Sequence, residues 1–337
     1  MAGELILLTG STGHIGFATL VEALKKGYHV RAAVRRESAI EDIKRTKSVQ
    51  PYLSQLSFVL VSDITAEGAF DEHVKGVDYV VHIASPLPGP SDDYEKSHMV
   101  PAVQGTLSIL YSALKEPNIK RVVITASELA IRPRDDSKSF TADSVTPDVQ
   151  GPFDNPFIAY GASKIRAHNA VRKFIETESP RYSVINIMPS FVLGRNQLAT
   201  TPEAVAGGSN MAAMFPVLGV SGQGPFEPIA VYINDVAFLH IAALDQNNKK
   251  IKHNDNFGAS WPHRFDWTDV NEIVKKRFPD AIAEGVIAAN GENKQEPNTP
   301  FYDTTRTEEV FDFKFKDLET AVVDLVEYYL EVKKQAS

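Results

Sequence analysis

Residues 5–16 read LILLTGSTGHIG, an apolar run followed at once by three glycines spaced three residues apart. The run predicts a buried strand, and GFATLVEALKKG (16–27) predicts a helix that ends near Gly27. In such a strand–loop–helix the first glycine allows a tight turn, the second admits a pyrophosphate close to the backbone, and the third lets the helix pack closely. We therefore predict a dinucleotide-phosphate site at Gly10, Thr12, Gly13, His14, Ile15 and Gly16. The alternative is a glycine-rich turn without a ligand.

Further short apolar runs alternate with segments that are long enough to form helices. The predicted strands are residues 5–9, 29–34, 56–61, 78–84, 121–125 and 182–188. Repeated alternation of strand and helix implies right-handed crossovers and a parallel sheet covered on both faces. The predicted fold class is therefore α/β, with a Rossmann-type doubly wound parallel sheet.

The pattern changes after residue 190. Residues 195–228 are rich in Gly, Pro, Ala and Ser, and residues 260–337 contain further helical periodicity. We predict a smaller, mostly C-terminal α/β substrate-binding lobe formed by 191–230 and 260–337, and a dinucleotide-binding domain formed by 1–190 and 231–259. Within the latter, Asp235 is expected to cap a helix.

The composition narrows the class of function. The chain has 337 residues, 43% of them apolar, a formal net charge of −8 and no cysteine. No cysteine can form a disulfide or act as a nucleophile, and the nine histidines show no metal-ligand spacing, so we expect no metal. The negative charge argues against nucleic acid, and no apolar run is long enough for a membrane span. With no signal-peptide pattern, we expect a cytoplasmic monomer or homodimer acting on a small molecule.

Two arginines follow the second predicted strand, in VRRES. A site for NAD usually has an acidic residue there, about 20 residues beyond the glycine loop, to bind the ribose hydroxyls. Arg35 and Arg36 would instead attract the 2′-phosphate of NADP(H). The sequence therefore favours NADP(H), with a solvated surface turn as the alternative.

A second chemical signal is YGASK, residues 160–164. Tyr160 and Lys164 are four residues apart, so on a helix they would share one face. The fifth predicted strand ends in ITAS, which places Ser127 at the carboxyl edge where open α/β sheets bind ligands. Taken singly, each of these residues is more often structural than catalytic. Their combination with the glycine loop predicts an active site.

The chain resembles an extended short-chain dehydrogenase/reductase, of the branch with dihydroflavonol reductases, cinnamoyl-CoA reductases and yeast and fungal NADPH-dependent aldehyde or ketone reductases. The resemblance rests on the segments TGSTGHIG, AVRR, SDIT, VVHIASP, PAVQGTLSIL, VVITAS, YGASK and INDVA, and on the terminal FKFKDLETAVVDLVEYYL. It covers essentially the whole chain.

This resemblance implies NADPH-dependent carbonyl reduction by a catalytic triad. Tyr160 would donate the proton, Ser127 would orient the carbonyl, and Lys164 would hold the nicotinamide ribose and lower the pKa of Tyr160. Further implied cofactor contacts, beside Arg35, Arg36, Tyr160 and Lys164, are Asp63, Ile64, Ala84, Ser85, Thr125, Pro189, Val192 and Ser209. The substrate contacts would be Ser127, Tyr160, Pro86 and Phe153.

Several features depart from the branch and leave the substrate open. They are Glu128, Met188, Arg195 and a polar insertion over 132–157. Phe153, Phe157 and Trp261 could line a substrate cavity, although aromatic residues belong to the core more often. Two other functions stay open at this point: a nucleotide-sugar epimerase or dehydratase that retains NAD, and a redox sensor that binds NADP without chemistry.

Overall fold

A computed structural model describes residues 3–85, 89–133, 139–296 and 298–336. The strands of its main sheet are β1 (Leu5–Thr9), β2 (His29–Val34), β3 (Leu56–Leu60), β4 (Tyr79–His82), β5 (Arg121–Thr125), β6 (Ser183–Pro189) and β9 (Asp255–Ala259). These seven strands are parallel and lie in the order β3-β2-β1-β4-β5-β6-β9. The predicted fold class is confirmed. The six predicted strands are all present, and their bounds differ from prediction by at most two residues.

Helices cover both faces of this sheet. They are α1 (His14–Lys25), α2 (Ser38–Arg45), α3 (Val100–Leu114), α4 (Pro156–Glu178), α7 (Ile233–Ala242) and α10 (Thr305–Phe311). Alternate residues of β1 point to opposite faces, so Ile6 and Leu8 join one apolar cluster with α1 and α7. Leu7 joins another cluster with α3 and α4. As predicted, α1 ends just before Gly27, whose φ is +83°.

A third apolar cluster lies beside the main sheet. It surrounds a two-stranded parallel sheet of β7 (Phe191–Leu193) and β8 (Ala230–Tyr232). Its helices are α5 (Pro202–Ala206), α6 (Met211–Val217), α8 (Asp269–Arg277), α9 (Pro279–Ala283) and α11 (Leu318–Ala336). This packing supports the predicted lobe. Val310, Phe311 and Phe315, however, pack with the main sheet. The domain boundary therefore stays a prediction.

The helix-capping role expected for Asp235 is wrong. Tyr232 occupies the position before α7 and makes no side-chain cap. Asp235 lies inside the first turn, where its Oδ2 accepts a hydrogen bond of 2.7 Å from the backbone N–H of Lys316. The carboxylate therefore fixes the segment that leads into α11, and burial raises its pKa to about 6. Across the described ranges, no helix is both long enough and apolar enough to cross a bilayer.

Candidate active site

The glycine loop closely approaches the end of β4. Gly10 has φ +77°, and a Cβ atom there would lie 2.7 Å from the backbone nitrogen of Ala84. A Cβ atom on Gly16 would lie 1.9 Å from the carbonyl oxygen of Gly10. At Gly13 the atom nearest to an added Cβ is the carbonyl oxygen of Gly10, at an ordinary 3.5 Å. Gly10 and Gly16 therefore meet the tight-turn and close-packing requirements inferred from the spacing, and the approach of a pyrophosphate to Gly13 stays a prediction.

The loop also fits an anionic ligand. Helix α1 begins at His14, and no side chain caps its N-terminus. The backbone amides of its first turn therefore remain donors for a ligand. The Ser11 hydroxyl is buried and has no hydrogen-bond partner within the described ranges. A pyrophosphate bound here would meet backbone donors and an unused hydroxyl. The imidazole of His14 lies instead 3.2 Å from the carbonyl oxygen of Gly194, and burial lowers its pKa to about 4.

Thr9 holds the ends of β1 and β4 together. Its hydroxyl oxygen accepts hydrogen bonds from the amides of Ile83 and Ala84 at 3.1 and 3.2 Å. It also lies 2.9 Å from Nδ1 of His82, a buried histidine. Residues 83–85, among them Ala84 and Ser85 of the predicted site, are thus fixed beside the glycine loop.

The residues predicted to bind the adenosine half lie at the ends of β2 and β3. Arg35 and Arg36 are exposed, and neither guanidinium has a hydrogen-bond or ion-pair partner among the described residues. Asp63 accepts hydrogen bonds from the amide and hydroxyl of Thr65, and the latter lowers its carboxyl pKa. The side chain of Ile64 packs against α3 at Gly105. Contact of Asp63 and Ile64 with adenine stays a prediction.

The structure brings Lys164 and Ser85 into direct contact. The Nζ atom of Lys164 lies 2.8 Å from the hydroxyl oxygen of Ser85 and 5.1 Å from the ring centroid of Tyr160. Both Tyr160 and Lys164 are on α4, one turn apart, as their spacing predicts. Ser127 follows β5, and its hydroxyl oxygen accepts a 3.2 Å hydrogen bond from the Leu129 amide. This leaves the hydroxyl hydrogen of Ser127 available to a ligand.

The ionisation of this site differs from expectation in one respect. Burial and the charge of Glu128 raise the pKa of Tyr160 to about 12, so the lowering expected from Lys164 is not present in this structure. Burial lowers the pKa of Lys164 to about 8, because a desolvated ammonium is disfavoured. Tyr160 is therefore protonated at neutral pH, the form that can act as an acid.

The other predicted cofactor and substrate contacts lie in different surroundings. The Thr125 hydroxyl lies 2.7 Å from Nε2 of His240, a buried residue that the sequence did not single out. The Ser209 hydroxyl donates to the Val192 carbonyl at 2.6 Å, so its proton is already used within the protein. Pro189 ends β6. Phe153 packs, half-buried, on Met99, Ala159 and Ala162. Pro86 lies outside the described residues.

A cavity of about 270 Å³ opens at the carboxyl ends of β6 and β9. Its apolar wall includes Ile229, Trp261, Phe265 and Tyr302, and it also has polar and charged lining residues. The Tyr302 hydroxyl donates to the Met188 carbonyl at 2.9 Å, and its ring stacks on Phe140. Trp261 lines this cavity, whereas Phe153 and Phe157 do not, and a role of any of the three in binding substrate stays a prediction.

Comparison with known proteins places the chain in a family. The model of the NAD dependent epimerase/dehydratase family matches residues 6–258. The ketoreductase CTB6 of Cercospora nicotianae is 33% identical, with 99% of this chain and 97% of that protein covered. The ketoreductase sphI of Aspergillus fumigatus is 38% identical, over 73% of this chain and 76% of that protein.

Solved structures show the same fold. Gre2 from Candida albicans, solved with NADPH, has a TM-score of 0.81 and 24% identity, with 98% of this chain and 99% of that chain covered. The family model and the ketoreductase relatives show that the chain belongs to the NAD-dependent epimerase/dehydratase family, the extended short-chain dehydrogenases/reductases that its motifs predict.

Proposed function

We propose that the protein reduces an aldehyde or ketone to an alcohol with NADPH, and that Tyr160 donates the proton. The observation that carries this proposal is the arrangement of Tyr160 and Lys164 on one face of α4, with Lys164 bonded to Ser85 at the edge of β4. The turn that follows Ser127 packs against the same helix. The names of the ketoreductase relatives support the same reaction.

Each residue of the triad has a role that follows from its surroundings. NADPH, when bound, supplies the hydride that reaches the carbonyl carbon. Ser127 donates its free hydroxyl hydrogen to the carbonyl oxygen and so orients it. Tyr160, protonated at neutral pH, gives its proton to that oxygen as charge develops there. Lys164, held by Ser85, fixes the ribose and keeps a positive charge near the phenol.

In this proposal, the preference for NADPH over NADH depends on Arg35. Its guanidinium has no partner within the described ranges, and the residue directly follows β2, the position from which an arginine accommodates a 2′-phosphate in dinucleotide-binding folds. We expect Arg35→Ala to weaken NADPH binding about 10- to 100-fold, because a charge-assisted hydrogen bond contributes about 1.5–3 kcal/mol. NADH binding should change little. Titration of each nucleotide by intrinsic fluorescence measures both effects.

A matched control is Arg45→Ala, since Arg45 is another exposed arginine but pairs with Asp42 on α2. That variant should bind NADPH as the parent does. Equal losses of NADPH and NADH affinity in Arg35→Ala would contradict the assignment of Arg35 to the 2′-phosphate.

The proposed reaction is tested by following NADPH absorbance while aldehydes, diketones, ketoesters and aryl ketones are added in turn, with NADH as the control. Consumption of NADPH with at least one carbonyl class, and an alcohol product of matching yield, is the expected result. Tightly bound NAD in the purified protein, with no NADPH consumption, would favour the epimerase or dehydratase. NADPH binding without turnover across the panel would favour the redox sensor.

A further inference from the structure

The side chain of His14 joins the glycine loop to a segment 180 residues further along the chain. Its Nε2 atom lies 3.2 Å from the carbonyl oxygen of Gly194, the residue that follows β7. A carbonyl oxygen can only accept a hydrogen bond, so Nε2 carries the hydrogen in this contact. His14 is also the first residue of α1. The start of that helix is therefore held by a bond to the chain beyond β7.

Gly194 has a fixed position. Its φ is +135°, and an added Cβ atom would lie 2.5 Å from Cγ2 of Ile233 and 3.3 Å from Oδ2 of Asp324. The side chain of Asn210, which is 1% exposed, binds both backbone polar groups of Gly194. Its Oδ1 accepts from the Gly194 amide at 3.1 Å, and its Nδ2 donates to the Gly194 carbonyl at 2.9 Å. The acceptor that His14 uses is thus held in place by its surroundings.

Arg195 ties the next residue to the C-terminal helix. Its backbone N–H and its Nε donate to the two carboxylate oxygens of Asp324 on α11, at 2.9 and 3.2 Å. Its Nη1 and Nη2 donate to Glu331 at 2.9 and 3.2 Å, and its guanidinium lies 4.8 Å from the ring centroid of Tyr328. His14, Arg195 and Asp324 line the same small cavity of about 40 Å³. The start of α1, the segment after β7 and α11 therefore meet at one place.

We propose that Arg195 is a positioning residue for the cofactor: through Gly194 it holds His14, and with it the first turn of α1, in the conformation that binds the NADPH pyrophosphate. The inference rests on the part of the proposed function that places NADPH at the glycine loop. Amides at a helix N-terminus bind an anion best when they are already oriented, because ordering them on binding costs free energy. No side chain caps α1, so the bond from His14 supplies an attachment that the cap position lacks.

Arg306→Ala is a closely matched control. The Arg306 guanidinium binds both carboxylate oxygens of Asp255, at 2.9 and 2.8 Å, and lies 5.0 Å from the ring centroid of Phe257. Its side chain is 35% exposed, against 27% for that of Arg195. Asp255 begins β9, whereas the glycine loop follows the carboxyl end of β1. The two variants therefore remove similar ion pairs at opposite edges of the sheet.

The test measures NADPH affinity by fluorescence titration, beside the free energy of unfolding. We expect Arg195→Ala and His14→Phe each to weaken NADPH binding about 3- to 10-fold, the effect of losing one hydrogen bond that holds the loop. The double variant should lose no more than the larger single effect, because both changes remove the same attachment. His14→Gln, which keeps a side-chain N–H donor, should bind NADPH more tightly than His14→Phe. Arg306→Ala should stay within about twofold of the parent affinity even where its stability falls.

A second measurement needs no cofactor. In the NADPH-free protein, amide hydrogen exchange over residues 13–18 should be faster in Arg195→Ala than in the parent, and unchanged in Arg306→Ala. Arg195→Lys, which keeps a positive charge, provides the same test with a smaller expected change if Arg195→Ala does not fold. Parent-like NADPH affinity and exchange in the folded Arg195 variant, or additive losses in the double variant, would overturn the inference. A parent protein that binds no NADPH would instead overturn the proposed function.

Discussion

Carbonyl reduction is expected to fall roughly 10²- to 10⁴-fold when Tyr160 is replaced by phenylalanine, the range typical for loss of a general acid. The substitution removes only the phenolic hydroxyl. The ring position 5.1 Å from Nζ of Lys164 is retained, and Lys164 keeps its bond to Ser85. NADPH affinity should therefore stay within about threefold of the parent value, a difference below about 1 kcal/mol. Single-turnover reduction, measured beside a nucleotide titration, separates loss of chemistry from loss of binding.

Replacement of a surface tyrosine by phenylalanine, away from the candidate site, serves as the control. Tyr111 is 46% exposed on α3 and packs its ring edge on Phe174. Tyr111→Phe removes a hydroxyl from the surface, so its turnover and NADPH affinity should both match the parent. If Tyr160→Phe reduced carbonyls at the parent rate, Tyr160 would not be the proton donor.

The second large effect is expected at Gly16. An added Cβ atom would lie 1.9 Å from the carbonyl oxygen of Gly10 and 2.5 Å from its carbonyl carbon, and backbone atoms cannot rotate aside. In Gly16→Ala either the loop or α1 must move. Overpacking of this kind costs about 1–3 kcal/mol of unfolding free energy. Displacing the loop would disturb the hydrogen bonds from its amides to the pyrophosphate, and loss of one such charge-assisted bond should weaken NADPH binding by about 10- to 100-fold. Denaturant unfolding and nucleotide titration measure the two effects.

Gly161→Ala is a useful counterpart, because that glycine lies on α4 and an added Cβ atom there would meet no atom of the described residues beyond its own helix turn within 4 Å. Alanine is the better helix former, so the free energy of unfolding should rise by about 0.5–1 kcal/mol. A Gly16→Ala protein as stable as the parent, with unchanged NADPH affinity, would show that close packing of the loop is not required.

The main sheet could be predicted because its signals are local. Near-continuous apolar strands such as β4 and β6 stand out in the sequence, and each is followed by enough chain for a crossover helix. The glycine spacing likewise fixes the loop geometry, since Gly10 and Gly16 occupy positions that a side chain could not. The Tyr160–Lys164 pair follows from helical periodicity alone.

Contacts between distant segments could not be predicted in this way. Thr125 meets His240 across 115 residues, and Arg195 meets Asp324 across 129. The sequence marked Arg195 only as a departure from the family pattern. In the structure its guanidinium joins the segment after β7 to α11, through Asp324 and Glu331. No periodicity relates such partners, because tertiary packing alone sets their separation in space.

The pKa values of the site also depend on the tertiary structure and not on the sequence alone. By itself the sequence determined the fold class, the loop and the family, and it predicted the site for the triad. Only the tertiary structure decided that Lys164 bonds to Ser85 and that burial and the charge of Glu128 raise the pKa of Tyr160. The physical reason is that residue type and spacing determine which groups are present, whereas pKa depends on desolvation and on charges brought close by the fold.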